Sequence, residues 1–141
     1  MSPARPWEVA ISYDDVCAIY DDVMAKFGGR RGIRSPECVH ACLGNAWTAQ
    51  AYLADDHDES PWLLFAAHLM CYLIGDHCFT DGNKRVGWAS MTFVLQRRFE
   101  LTVDAPTSEI VEMIEDFVGK RLKALDVVRW VATRLVDAST A

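Results

Sequence analysis

The run PWLLFAAHLMCYLIG, from Pro61 to Gly75, constrains the fold more than any other stretch of the chain. Ser60 and Pro61 match the N-cap and first-turn preferences of a helix. Trp62, Leu63, Leu64, Phe65, Leu69, Met70, Tyr72, Leu73 and Ile74 then leave it no polar side. A helix that is apolar all round has to be covered on every face. It would reach only about 22 Å, short of the roughly 30 Å hydrocarbon core of a bilayer, and His68 sits in its middle. The run therefore reads as the central helix of a helical domain, with no membrane association.

The remaining segments supply the cover. Ser12 and Asp15 resemble a capping box, and Val16, Ile19, Tyr20, Val23 and Phe27 follow at helical spacing until Gly28 and Gly29 end the helix. Ser35 and Pro36 open a short second helix carrying Cys38, Val39, Cys42 and Leu43. A fourth helix is expected over about 84–98, with Val86, Ala89, Phe93 and Val94 inward. Leu101–Val103 is a β-like run too short to start a sheet alone. Two more helices are expected over about 108–118 and 125–137, with Ile110, Val111, Ile114 and Phe117 on the inner face of one, and Val127, Val128, Val131 and Leu135 on that of the other. Six helices without βαβ alternation make the fold class all-α.

A chain of 141 residues fits one compact domain spanning 1–141. Its 14 basic and 20 acidic residues give a formal net charge of −6, which argues against broad binding to a nucleic-acid backbone. Cys17, Cys38, Cys42, Cys71 and Cys78 are odd in number and lack CxxC spacing, so they read as reduced thiols in a cytoplasmic protein. Cys38 and Cys42 share a helix face, but no neighbouring His or Cys completes a zinc site, so they read as packing. MSPARPWEVA lacks the apolar core of a signal peptide, so export by that route is not expected.

Between the central helix and the fourth lies HCFTDGNKR, His77 to Arg85. The first N–H groups of a helix have no partner within it, and an anion can satisfy them. Gly82 lets the backbone approach a ligand closely, and Asn83 tolerates a tight helix entry. Lys84 and Arg85 stand in a first turn where bare cations oppose the helix dipole, which suggests a phosphate-like ligand. Asp81 can hold Mg²⁺, a hard cation commonly bound through one or two carboxylates plus phosphate oxygens. His77 can accept a proton from a hydroxyl near neutral pH. Singly, each residue has a plainer reading: DGN as a polar turn, Lys84 and Arg85 as a solvated first turn, His77 as a charge at a helix C-terminus, Phe79 as a core anchor. Together they describe phosphoryl or nucleotidyl transfer.

HCFTDGNKR also resembles the signature of the Fic/Doc superfamily, His-x-Phe-x-Asp/Glu-Gly-Asn-x-Arg, and the GNKR form resembles the Doc branch. GGRRGIRSPECVHACLGNAW, Gly28 to Trp47, is similar to the Doc-type segment in which a Gly-Ile/Val-Arg turn leads into a helix, and LDVVRWVATRL resembles the family's closing helix. The resemblance implies a compact bundle of about six helices that uses ATP and Mg²⁺. It implies His77 as general base toward a target hydroxyl, Asp81 as the Mg²⁺ ligand, Gly82 and Asn83 as an anion hole, Lys84 and Arg85 on the nucleotide phosphates, and Phe79 as a structural position. It further implies a kinase toxin that phosphorylates elongation factor Tu, arrests translation, and is neutralised by a small antitoxin of the Phd type.

Cys78 stands where many members have Pro. Fic AMP-transferases usually carry Gly between Asn and Arg and a second Arg three residues on, where this chain has Lys84 and Trp88. No Ser/Thr-x-x-x-Glu-Gly/Asn string of the self-inhibited members is present, so inhibition falls to a partner. Transfer of AMP to Ser, Thr or Tyr is the alternative activity, and a catalytically silent peptide-binding module is the alternative of another class.

The acidic loop ADDHDES, 54–60, reads as solvated, with a target-aligning flap as the lesser reading. Arg30, Arg31 and Arg34 either join the phosphate site or lie on the surface. His40 and His68 read as surface or satisfied core groups. Trp47, Trp62, Trp88 and Trp130 read as core or groove lining.

Overall fold

The computed structural model describes residues 4–55 and 58–139. Asp56 and His57 of the acidic loop lie outside the described residues, so the flap reading stays with the sequence. A 3-10 turn, Pro6–Val9, precedes six helices: α1 Tyr13–Phe27, α2 Pro36–Leu53, α3 Pro61–Asp76, α4 Asn83–Phe99, α5 Thr107–Val118 and α6 Ala124–Ala132. Strands β1 Leu101–Val103 and β2 Leu135–Asp137 form an antiparallel pair with Thr102 opposite Val136. The fold is all-α apart from this short ribbon, as expected.

The central helix behaves as its composition requires. α3 buries Leu63 through Cys71 without interruption, then Leu73 and Ile74, and it packs against α2, α4 and α6. Gly87 lets α4 lie close on it, since a Cβ there would stand 2.9 Å from Ile74 Cγ1 and 3.1 Å from the Met70 carbonyl oxygen. Val86, Met91, Val94 and Leu95 are the fully covered apolar side chains of α4, and Ala89 and Phe93 are half-buried. His68 is a satisfied core histidine: its Nδ1 lies 2.8 Å from the Leu64 carbonyl, and burial lowers its pKa.

The caps follow the sequence in part. Ser12 accepts a hydrogen bond from Asp15 N–H at 3.1 Å and its own N–H donates to Asp15 Oδ2 at 2.9 Å, a full capping box. Ser60 accepts from Trp62 N–H at 3.2 Å, whereas Ser35 makes no side-chain cap. The second helix is not short, since its buried face continues through Ala46 and Gln50 and it ends at Leu53. The last helix does not reach Asp137. It stops at Ala132, and Leu135–Asp137 turn back to pair with Leu101–Val103, so the β-like run has a strand partner that is remote in sequence. Val111, expected inward, is half exposed, and Met113 takes the buried position on α5.

The cysteine reading is corrected twice. Cys38 and Cys78 form a disulfide, and Cys42 lies 3.7 Å from Cys78 Sγ. A third sulfur therefore does reach the Cys38 and Cys42 face, because the turn after α3 folds back over the start of α2. Cys17, Cys42 and Cys71 are free thiols.

Candidate active site

The segment from His77 to Asn83 leaves α3 and enters α4 through two left-handed positions. His77 ends α3 at φ 51° and Gly82 precedes α4 at φ 87°. At Gly82 the conformation and the space both favour glycine, because a Cβ would stand 2.6 Å from Met24 Cε. Between these bends, Phe79 is buried and stacks on Tyr20 at a centroid distance of 4.4 Å. The Tyr20 hydroxyl accepts from Gly32 N–H at 2.8 Å. Ile33 pairs with Phe79 in an isolated antiparallel bridge, Arg34 N–H donates to the Cys78 carbonyl at 2.8 Å, and Thr80 N–H donates to the Gly32 carbonyl at 2.9 Å. The Gly-Ile-Arg turn is thus a strand-like brace along the motif.

This brace leaves polar groups facing outward. A cavity of about 790 Å³ is lined by His77, Thr80, Asp81, Gly82, Asn83, Lys84 and Arg85 of the motif segment, by Phe117, Val118, Lys120, Leu122 and Lys123 of the α5 end and the link to α6, and by Ile74 and Gly75 of α3. The motif residues read from sequence as one site, apart from the buried Phe79, do converge on one cavity. His77 is exposed, and among the described residues no group engages its imidazole. Asp81 is also exposed, and its Oδ2 accepts from Arg30 N–H at 2.6 Å, which orients the carboxylate and leaves its second oxygen available. A single oriented oxygen donor fits Mg²⁺, which retains several waters and shares its remaining positions with phosphate oxygens.

α4 begins without a side-chain cap, so its first-turn N–H groups are presented to the cavity that Gly82, Asn83, Lys84 and Arg85 line. Asn83 does not offer its side chain to an anion. Its Oδ1 accepts from Phe79 N–H at 3.1 Å and its Nδ2 donates to the Phe79 carbonyl at 2.8 Å, so the carboxamide closes the loop. The expected tight-entry conformation falls on Gly82, and Asn83 is already helical. The two cations have partners as well. Lys84 Nζ lies 3.3 Å from Glu115 Oε1 with both side chains half exposed, a contact worth about 0–1 kcal/mol, and the Arg85 guanidinium lies 4.2 Å from the Phe27 ring centroid. Both remain at the rim of the cavity.

The arginines before α2 do not line the cavity. Arg31 pairs with Asp21 at 3.0 Å, Arg34 reaches Cys38 Sγ at 3.2 Å, and Arg30 contributes through its backbone alone. Trp88 packs edge-to-face on Trp130 and also stays out of it. Sequence reasoning missed Lys120 and Lys123. The signal was present as GKRLK between α5 and α6, three cations within four residues, but nothing local showed that this link faces the motif. Arg121, the third, is tied to Asp116 at 2.8 Å.

The model of the Fic/DOC family matches residues 10–95, which contain α1 to α4 up to Leu95 and the whole motif segment. The chain belongs to the Fic/DOC family. Within that family it is similar to protein kinase doc of Escherichia phage P1, with 29% identity over 110 residues covering 71% of this chain and 84% of the relative, which agrees with the Doc branch read from GNKR. The Fic/DOC match ends before α5, so the wall carrying Lys120 and Lys123 lies outside the matched residues. Among the described residues no helix is long and apolar enough to cross a membrane.

Proposed function

We propose that this Fic/DOC protein is a protein kinase that transfers the γ-phosphoryl group of ATP to a hydroxyl of a target protein. The observation that carries the reading is the single cavity joining an exposed imidazole, an oriented carboxylate, an uncapped helix N-terminus and four cations. The similarity to protein kinase doc favours phosphate over other groups.

In this reading His77 takes the proton of the target hydroxyl as the oxygen bonds to phosphorus and the bond to the ADP oxygen breaks. Asp81 would hold Mg²⁺, which would supply positive charge to offset that of the phosphates. The first-turn N–H groups of α4, Lys84 and Arg85 stabilise the equatorial oxygens in the transition state. Lys120 and Lys123 hold the phosphates from the α5 to α6 link, and Phe117, Leu122 and Ile74 offer the apolar surface a nucleobase needs. The toxin reading follows from the same resemblance: the target is a translation factor such as elongation factor Tu, and a small Phd-like antitoxin covers the site.

One observation favours a second reading, AMP transfer. The second Arg of AMP-transferases is replaced by Trp88, but Lys120 and Lys123 add cations to the cavity, so the loss does not leave the site short of positive charge. Intact-mass measurement of elongation factor Tu after incubation with the protein and Mg-ATP tests both. A phosphate increment supports the kinase reading, and an adenylate increment replaces it with AMP transfer.

A further inference from the structure

Outside the residues that line the cavity, Cys38, Cys42 and Cys78 are buried with their sulfurs all within 4.8 Å of one another. Cys38 and Cys42 stand one turn apart on α2, and Cys78 comes from the residue after His77. Asp76, the last residue of α3, adds a carboxylate oxygen 3.4 Å from Cys42 Sγ. We propose that the reduced chain binds one Zn²⁺ through the thiolates of Cys38, Cys42 and Cys78.

The spacing of the donors supports this. Tetrahedral Zn²⁺ with bonds of about 2.3 Å to sulfur requires edges of roughly 3.75 Å between sulfurs. Cys42 and Cys78 are 3.7 Å apart, and Cys42 and Asp76 are 3.4 Å apart. The Cys42 to Cys78 edge of a tetrahedron is thus in place, and the Asp76 carboxylate stands beside Cys42, outside the three-sulfur group. The Cys38 to Cys78 edge is closed by the disulfide, so metal binding and the disulfide exclude each other. Three thiolates on Zn²⁺ carry a net single negative charge, and the Arg34 guanidinium, 3.2 Å from Cys38 Sγ, offsets it.

The chemistry balances with a phosphine as reductant. The phosphine takes an oxygen from water and becomes its oxide, and the two electrons and two hydrogens convert the disulfide into two thiols. Zn²⁺ then displaces one proton from each of three thiols. Either state ties the start of α2 to the residue following His77.

The test uses the full chain, reduced with phosphine, incubated with Zn²⁺, desalted and examined by native mass spectrometry. One Zn²⁺ per chain is expected in the wild type and in Cys71→Ser, with loss of the ion in Cys42→Ser and Cys78→Ser. Substitution by Co²⁺ should give the thiolate charge-transfer absorption of a tetrahedral sulfur site. In case the serine variants unfold, the wild type is also melted with and without the chelator EDTA, and removal of the ion should lower the reduced protein's midpoint. Less than stoichiometric uptake by the reduced wild type, retention of the ion by folded Cys42→Ser, or a midpoint indifferent to EDTA would overturn the proposal. None of these readouts depends on catalysis, so the site stands or falls apart from the kinase reading.

Discussion

Asn83 holds Phe79 by both of its backbone groups, accepting from the N–H at 3.1 Å and donating to the carbonyl at 2.8 Å. The side chain of the first α4 residue therefore fixes the turn that carries Asp81 and Gly82, and Asn83 itself has only its backbone N–H left for an anion. Replacing Asn83 by Ala removes both bonds and leaves two half-buried backbone groups to find water. Urea denaturation should show a loss of about 1–3 kcal/mol. Asn83→Asp should not rescue it, because a carboxylate oxygen then faces the Phe79 carbonyl. A loss below about 0.5 kcal/mol, the range of ordinary surface substitutions, would contradict the clamp.

Gly82 and Gly44 make opposite demands on a methyl group. At Gly82 the backbone is left-handed and the flexible Met24 Cε would have to move aside for a Cβ, so Gly82→Ala should cost about 1–2 kcal/mol, set by the backbone. At Gly44, inside α2, the nearest atom to a Cβ is Trp7 Cη2 at 3.9 Å, an ordinary contact. Gly44→Ala should be neutral or stabilise the chain by up to about 1 kcal/mol. Thermal midpoints of the two variants check the pair, and a stable Gly82→Ala would show that the turn is not as tight as described.

Lys120 allows a binding role to be separated from a structural one. It sits at φ 63°, so Lys120→Gly removes the cation while relieving the backbone. If Lys120 contacts phosphate, KM for Mg-ATP should rise about tenfold, the equivalent of a charge-assisted hydrogen bond of roughly 1.5 kcal/mol, with no fall in the thermal midpoint. An unchanged KM would remove this wall from the nucleotide site.

His68 gives the fold a pH dependence whose sign is fixed. Burial lowers its pKa in the folded protein, so below the ordinary imidazole value of about 6.5 the unfolded chain binds the additional proton first. The contribution is fully present above that value and is lost as pH falls toward the lower folded pKa. Urea midpoints at pH 7.5 and 5.5, as nominal test conditions at about one unit either side of the ordinary value, should differ more for the wild type than for His68→Phe. Equal differences would mean that the imidazole is not buried neutral.

Much of this arrangement is legible in the sequence, for a local reason. The apolar run requires a covered helix, and the capping residues and glycines delimit α1 and α3. HCFTDGNKR carries its chemistry within nine residues, so the convergence of His77, Asp81 and the start of α4 needs no long-range information. What the sequence concealed are contacts between distant segments. Cys78 meets Cys38 across the turn that ends α3, Leu135–Asp137 find Leu101–Val103, and Lys120 and Lys123 face the motif from the α5 to α6 link. The partners of Lys84 and Arg85 are of the same kind. Their placement in the first turn reads from sequence as unfavourable without a phosphate, yet Glu115 and Phe27 engage them without one.

Whether His77 drives transfer of the terminal phosphate is tested most directly by the nucleotide product formed with a purified target, here elongation factor Tu, Mg²⁺ and ATP. The expected result is ADP, formed in step with phosphate on the target and slowed by about 10²–10⁴-fold in His77→Ala. Formation of pyrophosphate in place of ADP, or ADP formation that His77→Ala leaves unchanged, would contradict it.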